Sequence, residues 1–113
     1  MAERTTLETE HGTFILLVGP TPELVEAARR AAYNVPASEV TICEVKEAAT
    51  RIAELRPFAI VMSEDVYSFD AAEFDALARD VRGRLLTVSD ASTVERLERR
   101  LRPQLLEAYR RRG

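Results

Sequence analysis

Hydrophobic residues occur along this chain in short runs that are separated by longer stretches of helical periodicity. Four of the runs have the composition of β-strands, and the first and third are apolar without interruption. Continuous apolar runs are typical of strands that are buried on both faces of a parallel sheet, with helices on each side. The four predicted strands are Phe14–Val18, Val40–Val45, Phe58–Met62 and Leu85–Val88.

Each predicted strand is followed by residues whose apolar positions recur at helical spacing. Asp70 and Glu73 have the spacing of a capping box, and Gly83 closes the helix that they begin. Pro103 lies inside the last helix and predicts a bend or a break there. The predicted helices run from Pro22 to about Tyr33, from about Glu47 to Leu55, from Asp70 to Gly83 with their caps, and from near Ser92 onward, whereas Ser63–Ser68 is predicted as a loop.

The alternation of strands and helices predicts a fold of the α/β class. We expect a three-layer α/β/α sandwich with right-handed crossovers and a short parallel sheet of about four strands. The second strand alternates between apolar and polar residues, as an edge strand does. Residues 1–12 are polar and charged and are predicted to be a flexible tail, which leaves 13–113 as a single domain.

Composition narrows the class of protein and its surroundings. The 113 residues are 46% hydrophobic and 31% charged, as in an ordinary globular domain, and the net charge of -3 gives no footprint for nucleic acid. No run approaches the ~20 apolar residues that span a membrane, and the first residues lack the apolar core of a signal peptide. A single cysteine, Cys43, fits a reducing compartment. These features predict a cytoplasmic protein without a nucleic-acid or membrane partner.

The residues around the third strand carry a resemblance to a known family. Residues 56–63 read RPFAIVMS, and residues 69–74 read FDAAEF. Together with the first strand and helix, this segment resembles the receiver domain of bacterial response regulators, over about residues 13–102. Receivers have a similar Pro-Asp, apolar run and Asp at this place, followed by a loop and a Met-Asp-Gly-like start of the next helix. The resemblance implies a flavodoxin-like fold and a role in bacterial signalling.

The chain departs from the receiver pattern at the positions that carry its chemistry. Receivers bind Mg²⁺ through an acidic pair after the first strand and are phosphorylated on an aspartate after the third. In this chain Gly19 and Pro20 stand in place of the pair, and Ser63 stands in place of the aspartate. Ser89 could take the place of the hydroxyl residue that senses the phosphoryl group. No lysine follows the last strand, because Lys46 is the only lysine.

Phosphoryl transfer to aspartate requires a carboxylate nucleophile and a divalent cation. The resemblance therefore implies a degenerate receiver, or pseudo-receiver, that is not an enzyme and uses no metal or cofactor. The chain also has one βα unit fewer than the usual five. Either the fifth unit is missing, or the fourth has been deleted and the last helix is the closing helix of the fold. The length and terminal position of that helix favour the second interpretation.

Other reactive residues are weaker candidates for chemistry. Glu64 and Asp65, with Asp90, could form a cation site or a shifted phosphoacceptor, but solvated acids are the simpler interpretation. The turn Gly19–Pro22 precedes a helix N-terminus, which attracts anions, yet its two prolines remove two donors. His11 is the only histidine and lies in the predicted tail, so catalytic triads and Cys-His pairs are disfavoured.

The loop after the third strand contains the first candidate protein contact. Phe69 is expected to pack against Phe74 in a hydrophobic staple at the start of the next helix. That leaves Tyr67 as an exposed aromatic anchor, since tyrosine is favoured at interfaces. An interface and simple packing are equally weighted for this residue.

The last helix contains the second candidate contact. Leu105, Leu106 and Tyr109 continue its apolar stripe beyond Pro103 and are expected to lie past the footprint of the sheet. They are the preferred contact with a partner protein or with a second copy in a homodimer. Arginines crowd the same helix and could contact an acidic partner or nucleic acid, although interleaved glutamates favour a solvated face.

We therefore expect a phosphorylation-independent pseudo-receiver that acts as a protein–protein interaction module in signalling or cell organisation. The alternative is a sensor that binds a small ligand in the crevice between the first and third strands, near Gly19, Pro20 and Ser63.

Overall fold

The computed structural model describes the backbone of residues 13–89 and 91–112, with the side chains of all of these except 91–94 and 112. Four strands and five α-helices lie in these ranges, and a short 3₁₀ turn at Val45–Glu47 precedes the second helix. They are β1 Thr13–Val18, α1 Pro22–Ala32, β2 Ser38–Cys43, α2 Ala48–Leu55, β3 Ala59–Ser63, α3 Glu64–Phe69, α4 Ala71–Val81, β4 Arg84–Val88 and α5 Ala91–Arg112.

All four strands are parallel and lie in the order β2-β1-β3-β4. The register pairs Val18 with Cys43, Leu16 with Ile60 and Ser63 with Val88, so the carboxyl ends of the strands meet at one edge. The predicted α/β fold with a four-stranded parallel sheet is confirmed, and its three layers are compatible with a flavodoxin-like sandwich. The prediction that the second strand lies at an edge is also confirmed.

Helices cover both faces of the sheet, and β1 supplies side chains to both. Ile15 and Leu17 lie in the core against α1 and α5, whereas Leu16 and Val18 lie in the core against α2 and α4. This division follows from the two-residue repeat of a strand, which directs successive side chains to opposite faces. Because both faces are covered, β1 has to be apolar at every interior position, as its sequence is.

Two segments differ from their predicted structure for local reasons. Ser63–Ser68 is not a loop: Glu64–Phe69 form α3, which is too short to show helical periodicity in the sequence. Gly83 is not the left-handed residue that ends α4, because Arg82 takes that conformation, with φ 59°. Gly83 is required by space instead, since a Cβ atom there would lie 2.7 Å from the carbonyl oxygen of Pro57.

Of the bend or break predicted at Pro103, the break is not found. α5 continues through this residue as one helix of 22 residues. Leu105 was expected past the footprint of the sheet, but it is 0% exposed and belongs to the core between α1, α5 and the sheet. Leu106 packs partly buried against that core, and Tyr109 is 40% exposed. Leu105 is thus a core residue and is not available as a surface contact.

Among the described helices, none is both long enough and apolar enough to cross a membrane.

Candidate functional site

A cleft of about 700 Å³ opens at the carboxyl edge of the sheet. In this strand order the chain leaves β1 and β3 in opposite directions, which is where open α/β sheets form their binding crevices. Three of the positions predicted from the sequence, Gly19, Ser63 and Ser89, line this cleft together. Pro20 is partly buried beside it and is not among the lining residues.

Gly19 occupies the first of these positions in a conformation that disfavours residues with a side chain. Its φ of +56° lies in the left-handed region, and its N–H donates to the carbonyl oxygen of Cys43 at 2.9 Å. A Cβ atom here would lie 3.0 Å from Cγ2 of Val45. An acidic side chain at this position would therefore need both a strained backbone and a displaced valine.

Ser63 is the N-cap of α3. Its Oγ accepts a hydrogen bond from the N–H of Val66 at 3.2 Å, which satisfies one of the free donors of the first turn. Glu64 and Asp65 follow in that turn with exposed side chains, where negative charge is favourable. The hydroxyl at the end of β3 thus has a structural role, and the two acids beside it support the same short helix.

Acidic residues do not converge into a cation site in the part of the chain that the structure describes. No group of three or more His, Cys, Asp and Glu side chains in these residues could hold a metal ion. Asp90, the third acid of the candidate cation site with Glu64 and Asp65, lies outside the described residues.

The rest of the cleft is formed by α1 and the start of α5. Thr21 caps α1, since its Oγ1 accepts from the N–H of Leu24 at 3.2 Å. Three carboxylates line the cleft, those of Glu23, Glu26 and Glu95, against the single guanidinium of Arg30. Arg30 is also 3.2 Å from Glu26 in an ion pair. The cleft therefore carries an excess of negative charge, which disfavours phosphate and other anions.

Tyr67 is less exposed than Phe69, which is the reverse of the expectation. Tyr67 is partly buried, and its hydroxyl donates to the two carboxylate oxygens of Asp75 at 2.9 and 3.0 Å. This hydrogen bond, followed by desolvation and the charge of Asp75, raises the pKa of Tyr67. Phe69 is not held in a staple, because this residue is 83% exposed at the end of α3. The predicted cap at Asp70 is confirmed, since Oδ1 accepts from the N–H of Glu73 at 3.4 Å.

Arg102 is a structural residue that reasoning from the sequence missed. Its guanidinium donates to the carbonyl oxygens of Arg30, Ala31 and Tyr33 at the end of α1. Carbonyl groups in the last turn of a helix have no partner within the helix, so this side chain closes α1 from another element. The partners are separated by about 70 positions, and no local signal in the sequence indicates such a contact.

Cys43 is buried at the end of β2. Burial raises the pKa of its thiol, the charge of Glu47 acts in the same direction, and Arg51 opposes them. A neutral buried thiol is a poor nucleophile, so this residue belongs to the core. His11 lies outside the described residues.

Comparisons with protein-family models, with curated proteins and with solved structures give no significant match to this chain.

Proposed function

We propose that this chain is a phosphorylation-independent pseudo-receiver that binds another protein in bacterial signalling or cell organisation, in the cytoplasm, without catalysis. The observation that carries the proposal is the structural role of the Ser63 side chain. The receiver resemblance puts the phosphoacceptor at this position, and the hydroxyl found there caps α3 instead. Among the described residues, this end of β3 offers a capping hydroxyl without a converging set of acids, which does not meet the needs of aspartyl phosphorylation.

The conformation of Gly19 supports the same proposal. The acidic pair of receivers would have to stand at Gly19 and Pro20, and at Gly19 a positive φ and the contact with Val45 disfavour a carboxylate side chain. The departure from the receiver pattern is therefore built into the packing around this turn.

The position of α5 supports the interpretation that the fourth unit of a receiver has been deleted. α5 packs against α1 on one face of the sheet, while α2 and α4 lie on the other. A right-handed crossover from β4 to a further strand beyond it would keep its helix on the face of α2 and α4. The last helix instead returns to the face of α1, as a closing helix does.

The test is a ¹⁵N–¹H NMR titration of the full chain with Mg²⁺ and beryllofluoride, a mimic of the phosphoryl group. We expect the signals of Gly19, Ser63 and Ser89 to stay unchanged. The Ser63→Asp variant is a stringent control, because aspartate caps a helix as well as serine but restores the carboxylate. It should also stay silent, since Gly19 and Pro20 supply no ligands. A saturable shift at these signals in either protein would overturn the proposal.

A sensor for a small ligand is the second candidate function, and the cleft at the carboxyl edge favours it. Its volume of about 700 Å³ is within the usual range of roughly 300–1,000 Å³ for small-molecule sites. The excess of carboxylates indicates a cationic ligand. A saturable thermal shift with amines but not with anions, weakened by Glu95→Gln and unchanged by Glu39→Gln outside the cleft, would support this function. Silence across a broad set of amines would oppose it.

A further inference from the structure

The two helical layers carry opposite charge. α5 contains seven arginines and three glutamates, a net charge of +4, whereas residues 64–81 contain six acids and one arginine, a net charge of -5. α5 lies on the face of α1, while α4 and the packed side of α3 belong to the other face. The molecule is therefore polarised across its sheet, although its total charge is only -3.

The negative layer presents an exposed aromatic side chain among acids. We name this the acidic knob: Phe69 with Asp65, Asp70 and Glu73. Phe69 is the most exposed large hydrophobic residue among those described, and Asp65 lies one helical turn before it on α3. None of the three acids forms an ion pair with a described side chain, and all three are exposed. Their charge is thus available to a partner.

The positive layer contains a groove of about 860 Å³ between α1 and α5. We name it the basic groove, and Arg30, Arg99, Arg102, Arg110, Pro103 and Leu106 line it together with three glutamates, Glu95, Glu98 and Glu107. Leu106 is partly buried and, with exposed Pro103, gives the groove an apolar portion.

The ion pairs of the basic groove leave a positive excess at its rim. Glu98 lies 3.4 Å from Arg30 and Glu107 lies 3.5 Å from Arg111, so two of the three glutamates at the groove are paired within the molecule. Arg99 and Arg110 have no ion pair with any described residue. They are therefore the side chains most available to an incoming carboxylate.

We propose that the acidic knob of one copy binds in the basic groove of a second copy, so that the chain associates with itself head to tail. Phe69 contacts Leu106 and Pro103, and the acids around it pair with Arg99 and Arg110. The inference rests on the proposed function, since it names the partner of the interaction module. Because the knob and the groove are different surfaces of one chain, each added copy leaves a free knob and a free groove. The contact therefore builds a series that grows past the dimer, until it closes into a ring or continues as an open filament.

Charge complementarity selects a second copy in this orientation. A symmetric dimer through the groove would bring arginine-rich helices together, and one through the knob would bring unpaired acids together. Like charges in contact oppose both arrangements. The head-to-tail contact pairs the negative charge of the acidic knob with the positive charge of the basic groove. A single chain carries both surfaces.

The experiment is sedimentation velocity of the full chain over a range of concentrations and salt. We expect an average mass that rises past that of a dimer at low salt. It should fall when salt is raised from about 0.01 M to about 1 M, which shortens the screening length from about 30 Å to about 3 Å. Phe69→Ser should be monomeric, and so should the double variant Arg99→Glu with Arg110→Glu. Arg100→Glu, which reverses one charge on the exposed side of α5 outside the groove, should associate almost normally.

Mixing the two monomeric variants separates head-to-tail from symmetric contact. Phe69→Ser keeps an intact groove and the arginine double variant keeps an intact knob, so the mixture should form a one-to-one dimer that grows no further. Circular dichroism and thermal unfolding should show that each variant is folded, since all three changed side chains are exposed.

A wild-type chain that stays monomeric at ~1 mM and low salt would overturn the inference. A mixture that stays monomeric, or equal loss in Arg100→Glu, would overturn it too. Binding of a different protein through Phe69, or of nucleic acid through the groove, with no self-association would also overturn it. Binding of a different protein through Phe69 would still support the proposed interaction module. A beryllofluoride response would instead overturn the pseudo-receiver proposal and leave the self-association result untouched.

Discussion

The α1–α5 layer and the α2–α4 layer of this protein are attached to the sheet by different contacts. α5 buries Leu97, Leu101 and Leu105 completely and closes α1 through Arg102. The opposite layer buries Ile52 and Phe74 but leaves Phe69 in solvent. The helix with the most arginines is thus also firmly anchored, because its charges and its leucines occupy different faces. A high density of charge on a helix therefore does not indicate a peripheral element.

The largest expected effect is the cost of cutting back the anchored layer. Leu105→Ala should lower the free energy of unfolding by about 2–5 kcal/mol, since it leaves a cavity in a fully buried site. Leu77→Ala, at a partly buried position of α4, should cost only about 1–2 kcal/mol. Urea unfolding measures both. Equal losses in the free energy of unfolding would show that the two layers are anchored alike, and would contradict the difference described above.

The second effect isolates the polar part of the anchor. Arg102→Ala leaves three carbonyl groups of α1 without this partner and should cost about 1.5–3 kcal/mol, the usual value for a hydrogen bond to a charged group. Arg100→Ala, an exposed arginine two positions away, should change stability by less than about 0.5 kcal/mol. Chemical unfolding of the two variants measures the difference. Indistinguishable unfolding midpoints would contradict the role assigned to Arg102.

A smaller effect on stability concerns the N-terminus of α3. Ser63→Ala removes the N-cap of α3 and should cost about 1 kcal/mol, whereas Ser63→Asp should be within about 0.5 kcal/mol of the wild type. The measurement is again unfolding by urea, at neutral pH. If alanine and aspartate were equally harmless, the hydroxyl would have no structural task, and the account of this position would fail.

The smallest effect is a pH dependence at Tyr67. Its pKa is raised, so the neutral phenol is favoured in the folded state. The stabilisation is present below about pH 10, the ordinary pKa of tyrosine, and is lost as the pH rises beyond it. The stability difference between wild type and Tyr67→Phe should therefore shrink in alkali. A phenolate titration of the wild type should show a component that ionises late, and this component should be absent from Tyr67→Phe.

The sequence predicts the sheet and most of the helices because burial on two faces demands uninterrupted apolar strands. It also locates Gly19, Ser63 and Ser89 at one edge, since the carboxyl ends of parallel strands meet there. It does not predict α3, because six residues are too few for periodicity, although Ser63 followed by two acids is a start signal. It does not indicate the burial of Leu105, because Pro103 is typical of a helix break, whereas α5 continues through it.

The contacts that escaped prediction depend on distance along the chain. The tie from Arg102 to α1 joins residues 69–72 positions apart. The exposure of Phe69 depends on the direction in which α3 ends. Neither follows from a local pattern, because both are set by how separate elements pack.

The hydrogen bonds between Arg102 and α1 also have a consequence for folding during synthesis. During synthesis, α1 and its face of β1 emerge long before α5, while the opposite layer is complete once α4 has been made. The 72 positions between Arg30 and Arg102 take about 4 to 14 s to synthesise at about 5–20 residues per second. For that interval the nascent chain presents Ile15, Leu17 and the apolar stripe of α1 without their cover. The half-finished protein therefore offers a binding surface for chaperones, which the finished one withdraws.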